Sequence, residues 1–192
     1  MVFVILFINL LFLIFLIVFV SYFIIQLFLI LPILFGFPFF VPSPAEKVKT
    51  MLKLANPKPG EIFYDIGSGD GKILIEAVKQ YDIKAIGVEI NPLLVWLSRR
   101  KIKKLGLENK IHIIKGNFFK KDFSNADIII IYLWQVTINL LEKKLLSELK
   151  SGTRLVSSTF TFNNIPFVKS DSEYPSIRLY QIPHSQNYDK ID

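Results

Sequence analysis

Tyr64-Asp65-Ile66-Gly67-Ser68-Gly69-Asp70-Gly71-Lys72 is the stretch on which the reading of this 192-residue chain turns. A short apolar run, Ile62 to Ile66, leads into it, and a helical pattern, Gly71 to Tyr81, leads out. Gly67, Gly69 and Gly71 supply the positive φ angles that a tight strand-to-helix turn demands and let a ligand approach the backbone closely. The spacing G-x-G-x-G differs from the dinucleotide fingerprint G-x-G-x-x-G, and the Lys-Ser/Thr ending of a phosphate-cradling loop is missing. Asp65 and Asp70 would repel a pyrophosphate. They suit a ligand that carries positive charge and hydroxyls, a description that the α-ammonium, sulfonium and ribose of S-adenosylmethionine meet.

Working outward, Ala85 to Ile90 reads as a second strand and completes a βαβ unit. It carries Glu89 in Gly87-Val88-Glu89-Ile90-Asn91. An acid about 20 residues beyond the glycines is placed to accept hydrogen bonds from ribose hydroxyls. The expected cofactor wall is therefore Asp65, Gly67, Ser68, Gly69, Asp70, Gly71 and Glu89.

The alternation continues with helices at Leu93 to Leu105 and Val136 to Leu149. Strands are expected at Ile111 to Lys115, Asp127 to Leu133, Arg154 to Phe160 and Ile177 to Ile182. A leading helix, Ala45 to Ala55, places Val48, Met51, Leu52 and Ala55 on one face and ends at Asn56-Pro57. Continuous apolar runs such as Ile128-Ile-Ile-Ile-Tyr132 suit strands covered on both faces. The fold class is α/β, a Rossmann-like doubly wound and mostly parallel sheet. Right-handed crossovers gather the loops at the strands' C-terminal ends along one edge, and the site is expected there.

No charged side chain occurs before Glu46, so the net charge of +7 belongs wholly to the later part. Val2 to Leu31 is almost entirely Leu, Ile, Phe and Val, interrupted by Asn9, Ser21, Tyr22 and Gln26. A bilayer core needs about 20 apolar residues, so this run is expected to span it, as one tilted helix or a re-entrant hairpin. It lacks the basic n-region, short apolar core and small-residue cleavage site of a signal peptide. Lys47, Lys49, Lys53 and Lys58 follow the span and no Lys or Arg precedes it, which orients the later part to the cytoplasm. The expected organisation is an anchor at 1–31, a stiff Pro- and Phe-rich interfacial linker at 32–45 and a cofactor-binding domain at 46–192. With no Cys, and with His112 and His184 as the only imidazoles, no metal is expected.

At these residues the chain resembles the class I S-adenosylmethionine-dependent methyltransferases. Among them it is similar to the small membrane-anchored protein-lysine methyltransferases of the archaeal and mitochondrial type. The resemblance rests on Phe40-Val-Pro-Ser-Pro44, Asp65-Ile-Gly-Ser-Gly-Asp-Gly71, Gly87-Val-Glu89, Gly116-Asn-Phe-Phe119, Ile131-Tyr-Leu133 and Leu149-Lys-Ser-Gly-Thr-Arg-Leu-Val-Ser157. It implies that Asp65, Gly67, Gly69 and Gly71 line the methionine part of the cofactor, Glu89 the ribose, and Asn117 with Phe118 the adenine. Asn117 departs from the commoner Asp and has a second use as a turn former.

The Asn/Asp-Pro-Pro-Tyr motif that clamps planar amides and amines is missing, and Tyr132-Leu133-Trp134 stands in its place. Tyr132 and Trp134, with Phe40, are candidates for an aromatic channel that desolvates a lysine ammonium and so lowers its pKa. Methyl transfer otherwise needs alignment and exclusion of water, so no catalytic triad is sought. The expected acceptor is a lysine of a membrane-associated protein. The alternatives are a lipid-like small molecule, RNA, or a non-catalytic cofactor-binding protein in the membrane. Arg99-Arg-Lys-Ile-Lys-Lys104 is a cluster able to attract phosphates, with a solvated helix face as its plainer reading.

Overall fold

The computed structural model describes residues 2–34 and 41–183, with side chains at 2–27 and 41–183. The chain divides into two units, Met1–Val41 and Pro42–Asp192. The first contains α1, Val2–Leu34. It is one uninterrupted helix rather than a hairpin, and it runs past the expected Leu31 through Pro32 to Leu34. A proline so near a helix end removes one backbone hydrogen bond and leaves little helix beyond it to disrupt. Its Val2–Leu27 portion, 26 residues, is long and apolar enough to cross a membrane, and none of its residues is buried. At 1.5 Å per residue this portion is about 39 Å long, which exceeds a hydrocarbon core of about 30 Å. Phe15, Phe19 and Phe23 stack one turn apart along it, with ring centroids 6.1 and 5.7 Å apart.

The second unit is a seven-stranded sheet in the order β3-β2-β1-β4-β5-β7-β6. Its elements are α2 (Ala45–Ala55), β1 (Ile62–Ile66), α3 (Lys72–Gln80), β2 (Lys84–Glu89), α4 (Pro92–Lys104) and β3 (Ile111–Lys115). There follow β4 (Ile128–Ile131), α5 (Gln135–Glu148), β5 (Arg154–Ser158), β6 (Phe167–Ser170) and β7 (Ile177–Gln181). Strands β1 to β5 pair in parallel, while β7 joins β5 and β6 joins β7 antiparallel. The mostly parallel doubly wound sheet expected from the sequence is present. The sequence reading misses β6, whose four residues are all exposed and carry no burial alternation.

Strand alternation sends successive side chains to opposite layers. Phe63, Ile128, Ile130 and Val156 join α2, α3 and α4 in one core. Tyr64, Ile66, Ile129, Ile131 and Leu155 join Ile138, Leu141 and Leu145 of α5 in the other. β4 is buried at every position because both its faces are covered.

Two strands stop two residues earlier than expected. β4 ends at Ile131, which leaves Tyr132 and Leu133 in a loop and Trp134 as the N-cap residue of α5. β5 ends at Ser158 because Thr159 turns to φ 79°, a left-handed conformation strained for a β-branched residue. The glycine loop, the Glu89 corner and the loops after β3, β4 and β5 thus share the C-terminal edge.

At the opposite edge Arg154 latches α2 to the sheet. Its guanidinium donates to the carbonyls of Ala55 and Asn56, each at 2.7 Å, and pairs with Glu61 at 2.5 Å. A cation there satisfies carbonyls that a helix C-terminus leaves unpaired. Arg154→Met should therefore destabilise the domain by about 2 kcal/mol, the scale of hydrogen bonds to a charged group. Thermal unfolding of the detergent-solubilised chain checks this, and an unchanged midpoint contradicts it.

Candidate functional site

The site begins where β1 stops. Gly67, Gly69 and Gly71 hold φ of 78°, 54° and 79°, values that a side chain would resist. A Cβ on Gly67 would lie 2.9 Å from Leu133 Cδ2, and one on Gly71 would lie 3.1 Å from Ser98 Cβ. The glycines therefore let the turn pack closely against the loop after β4 on one side and against α4 on the other.

Glu89, at the end of β2 and 6% exposed, holds the turn from the neighbouring strand. One carboxylate oxygen accepts from the Gly69 amide at 2.8 Å, and the other accepts from the Asn91 amide at 2.8 Å. A carboxylate has about four acceptor positions, so capacity for ligand hydroxyls remains. The loop-fastening role of Glu89 was not legible in the sequence, because a spacing of 20 residues states no hydrogen bond.

Asp65 is 2% exposed and on the face of β1 that looks toward α2, α3 and α4. Its Oδ2 has no hydrogen-bond partner, and neither does the buried Oγ of Ser68. Burial, then the nearby charges of Glu89 and Asp70, push the Asp65 carboxyl from its ordinary 3.8 up to about 8. Asp70 is differently placed. Its Oδ2 pairs with Lys101 at 2.6 Å and its Oδ1 accepts from the Lys72 amide at 3.3 Å, so it fastens the loop to α4.

A buried acceptor without a donor, beside a second carboxylate and a glycine-rich turn, fits a compact cationic ligand. A phosphate would meet two acids there. The chemistry present thus matches the ammonium, sulfonium and ribose of S-adenosylmethionine.

The remaining expected residues lie on the same edge. Leu133, the middle residue of Tyr132-Leu133-Trp134, lies against the glycine turn at Gly67. Trp134 is 58% exposed, and its ring lies 5.9 Å from that of Phe160. Asn117 shows its turn-forming use: its Oδ1 accepts from the Phe119 amide at 2.9 Å and opens a single 3-10 turn, Phe118–Lys120. Phe118 is half-buried beside Phe119, with centroids 4.7 Å apart. Phe40 lies outside the described residues.

Several site residues escaped the sequence reading. Lys72 donates to the Ser43 carbonyl at 2.6 Å and so ties the segment before α2 to the start of α3. Gln135 bonds both backbone groups of Thr161, donating to its carbonyl at 2.8 Å and accepting from its amide at 3.1 Å. Glu142, 2% exposed, accepts from the amides of Asn164 at 2.6 Å and Ile165 at 3.2 Å. Together these two straps hold the Phe160 loop on α5. One signal was available: Glu142 interrupts the apolar stripe Ile138, Leu141, Leu145, where a charge needs a buried partner.

Residues 65–169 match the ANTKMT methyltransferase domain. A protein-lysine N-methyltransferase of Saccharolobus islandicus (strain REY15A) is 41% identical over 122 residues, covering 63% of this chain and 76% of that protein. The adenine nucleotide translocase lysine N-methyltransferase of Mus musculus is 32% identical over 121 residues, so the matched region, 63% of this chain, spans 52% of that relative's length. The crystal structure of an RNA methyltransferase from Salinibacter ruber in complex with S-adenosyl-L-homocysteine superposes with a TM-score of 0.70 at 31% identity. That superposition covers 79% of this chain and 100% of the other.

The buried acid carries a pH signature. With the folded pKa of Asp65 raised from 3.8 to about 8, the folded state holds more protons than the unfolded one between those values. Ligand-free stability therefore falls as pH rises through that window and levels off above about pH 8. Asp65→Asn should remove this slope and raise stability at pH 8, with an upper bound of about 5 kcal/mol for a difference of about four pH units. Thermal unfolding at a series of pH values is the measurement, and parallel profiles for the two proteins contradict the assignment.

Proposed function

The chain belongs to the ANTKMT methyltransferase family, and from that membership we propose that it transfers the methyl group of S-adenosylmethionine to the ε-amine of a lysine on a membrane-associated protein. That it is an S-adenosylmethionine-dependent methyltransferase follows from the family, its relatives and the cofactor product held by its structural neighbour. The single observation behind the acceptor is the loop after β4. It sets Leu133 against the glycine turn, with aromatic Tyr132 and Trp134 on either side of it in sequence and no amide clamp, in a chain whose relatives include a protein named protein-lysine N-methyltransferase.

In this reading Asp65, Gly67, Ser68, Gly69, Asp70 and Gly71 form the cofactor wall. Asp65 offers its unpartnered oxygen to the ammonium, and Glu89 offers its remaining acceptor positions to the ribose. Asp70 acts from one layer behind, through Lys101 and the Lys72 amide. Phe118 supplies an apolar wall for the adenine, and Asn117 shapes the turn that holds it. When bound, the cofactor supplies an activated methyl on a positively charged sulfur.

The chain's own task is to align a neutral amine and exclude water. Tyr132, Trp134 and Phe160 offer the lysine an aromatic surround that disfavours its charged form and so lowers its pKa. Bulk water then takes the ammonium proton, and no acid-base pair is needed. RNA as acceptor is the second reading, and it draws on the likeness to the Salinibacter ruber RNA methyltransferase.

α1 anchors the chain in one pass, and Lys47, Lys49, Lys53 and Lys58 keep the catalytic unit on the cytoplasmic side. Carbonate-washed membranes should retain the chain, with its C-terminus open to protease only from the cytoplasm. Release by carbonate contradicts the anchor.

For the acceptor, cells carrying the wild-type chain are compared with cells carrying Glu89→Ala, which loses both the loop fastening and the ribose acceptor. Mass spectrometry should find methyl-lysine on membrane proteins in the first only. Differing marks on RNA bases, lipids or arginine would replace the lysine assignment and leave the methyltransferase assignment intact.

A further inference from the structure

Apart from Lys101, which pairs with Asp70, the basic stretch of α4 plays no part in the site just described. Its solvent side is a single stripe in two halves. The N-terminal half exposes Leu93 at 66% and Trp96 at 55%, with Ile90 at 38% just before the helix. The C-terminal half exposes Arg99, Arg100, Lys103 and Lys104. The inner side, Val95, Ser98 and Ile102, is buried against the sheet.

Several of these charges are already engaged. Arg99 donates to the Ile113 carbonyl at 2.7 Å, and Lys101 pairs with Asp70. Arg100 rests over the Trp96 ring, 5.3 Å from its centroid. Lys103 and Lys104 make no ion pair among the described residues. From Ile90 to Leu107 the sequence holds no acid, and the next is Glu108. Lys115, the last residue of the edge strand β3, is exposed as well, while Lys110, just before that strand, pairs with Asp82 at 3.1 Å.

An ordinary solvated helix face gives little reason for a Leu and a Trp exposed side by side. A Trp and aliphatic residues next to Lys and Arg whose long stems reach outward make up the side-chain set of a helix lying in a membrane interface. A phosphate-binding face for RNA would account for the cations and the Trp, but it would leave Leu93 and Ile90 without a partner.

We propose that the exposed stripe of α4 docks the catalytic unit onto an anionic bilayer surface, with Ile90, Leu93 and Trp96 entering the headgroup layer and Arg100, Lys103 and Lys104 facing acidic lipid headgroups. The inference rests on the reading of α1 as an anchor, which holds the unit at high local concentration beside the bilayer. Docking adds what a tether alone does not provide, a fixed presentation of the catalytic unit to the surface. Each cation near an anionic leaflet strengthens the attraction about fivefold, and the field fades within a Debye length.

The test uses the 192-residue chain with Trp134→Phe, which leaves Trp96 as the one fluorophore of its kind, in lipid nanodiscs. In discs containing phosphatidylserine with brominated acyl chains, Trp96 emission should shift to the blue and be quenched. Discs of brominated phosphatidylcholine alone should quench it far less. Salt at about 1 M, where the Debye length is about 3 Å, should release it, and so should the combined Arg100→Glu, Lys103→Glu and Lys104→Glu substitutions. Those residues are exposed, and circular dichroism checks that the fold persists.

Solvent-like, unquenched Trp96 in anionic discs that carry the chain overturns the proposal. An emission shift caused by an RNA oligonucleotide and by no lipid assigns the stripe to RNA and overturns it equally. A chain that fails to enter the discs defeats the anchoring reading instead. In that case, quenching by added anionic vesicles still decides whether α4 docks.

Discussion

The carboxylate of Glu89, accepting from the amides of Gly69 and Asn91, is the constraint from which the site follows. It joins the end of β2 to the turn that leaves β1, two strands that are parallel neighbours. With the Gly69 amide directed at Glu89, the turn cannot relax into an ordinary helix start. The φ angles of Gly67 and Gly71 then become obligatory, and close packing against Leu133 and Ser98 follows from them. A buried charged acceptor fastened to two amides is costly to disrupt. The chain's own hydrogen bonds therefore hold the geometry of the turn, as catalysis by alignment requires.

The same constraint concentrates an electrostatic demand. Three carboxylates surround one turn, and two of them are answered within the chain: Glu89 by amides, Asp70 by Lys101. Asp65 is left with a buried oxygen that nothing donates to. In the free protein the least costly response is to keep the proton, hence the carboxyl held at about 8. A ligand that brings a positive charge supplies the missing partner and favours the ionised acid. The buried acid left without a partner is thus one with much to gain from a cationic cofactor.

The parts of this structure that the sequence disclosed are those set by local chemistry. Apolar runs marked β1 to β5, glycine spacing marked the turn, and helical periodicity marked α2 to α5 within a residue or two. What stayed hidden depends on partners far along the chain. β6 has four exposed residues and exists because β7 offers a free edge. Asp70 reads as a ligand-facing acid until Lys101, 31 positions away, takes its charge. β5 stops at Ser158 because Thr159 turns over, its amide donating to the Ser176 carbonyl at 2.8 Å, and no pattern in Arg154 to Phe160 announces a contact with that residue. The long apolar helix α1 was legible in composition alone, because a run of that length without charge needs no distant partner to be recognised.

In the proposed reading, cofactor side and acceptor side are mechanically one object. Leu133 sits where a Gly67 side chain would be, and Trp134, the next residue, stacks near Phe160 while capping α5. Phe160 in turn is held by the Gln135 and Glu142 straps on the following loop, rooted on that same helix. Displacing the glycine turn therefore displaces Leu133, the start of α5 and the aromatic pair in succession. The strain at Thr159 belongs to this chain of contacts: β5 must end abruptly for Phe160 to meet Trp134, and the straps meet a conformational cost of order 1–3 kcal/mol. A flexible loop would lower that cost, yet would surrender the fixed distance between methyl donor and acceptor on which transfer by alignment depends.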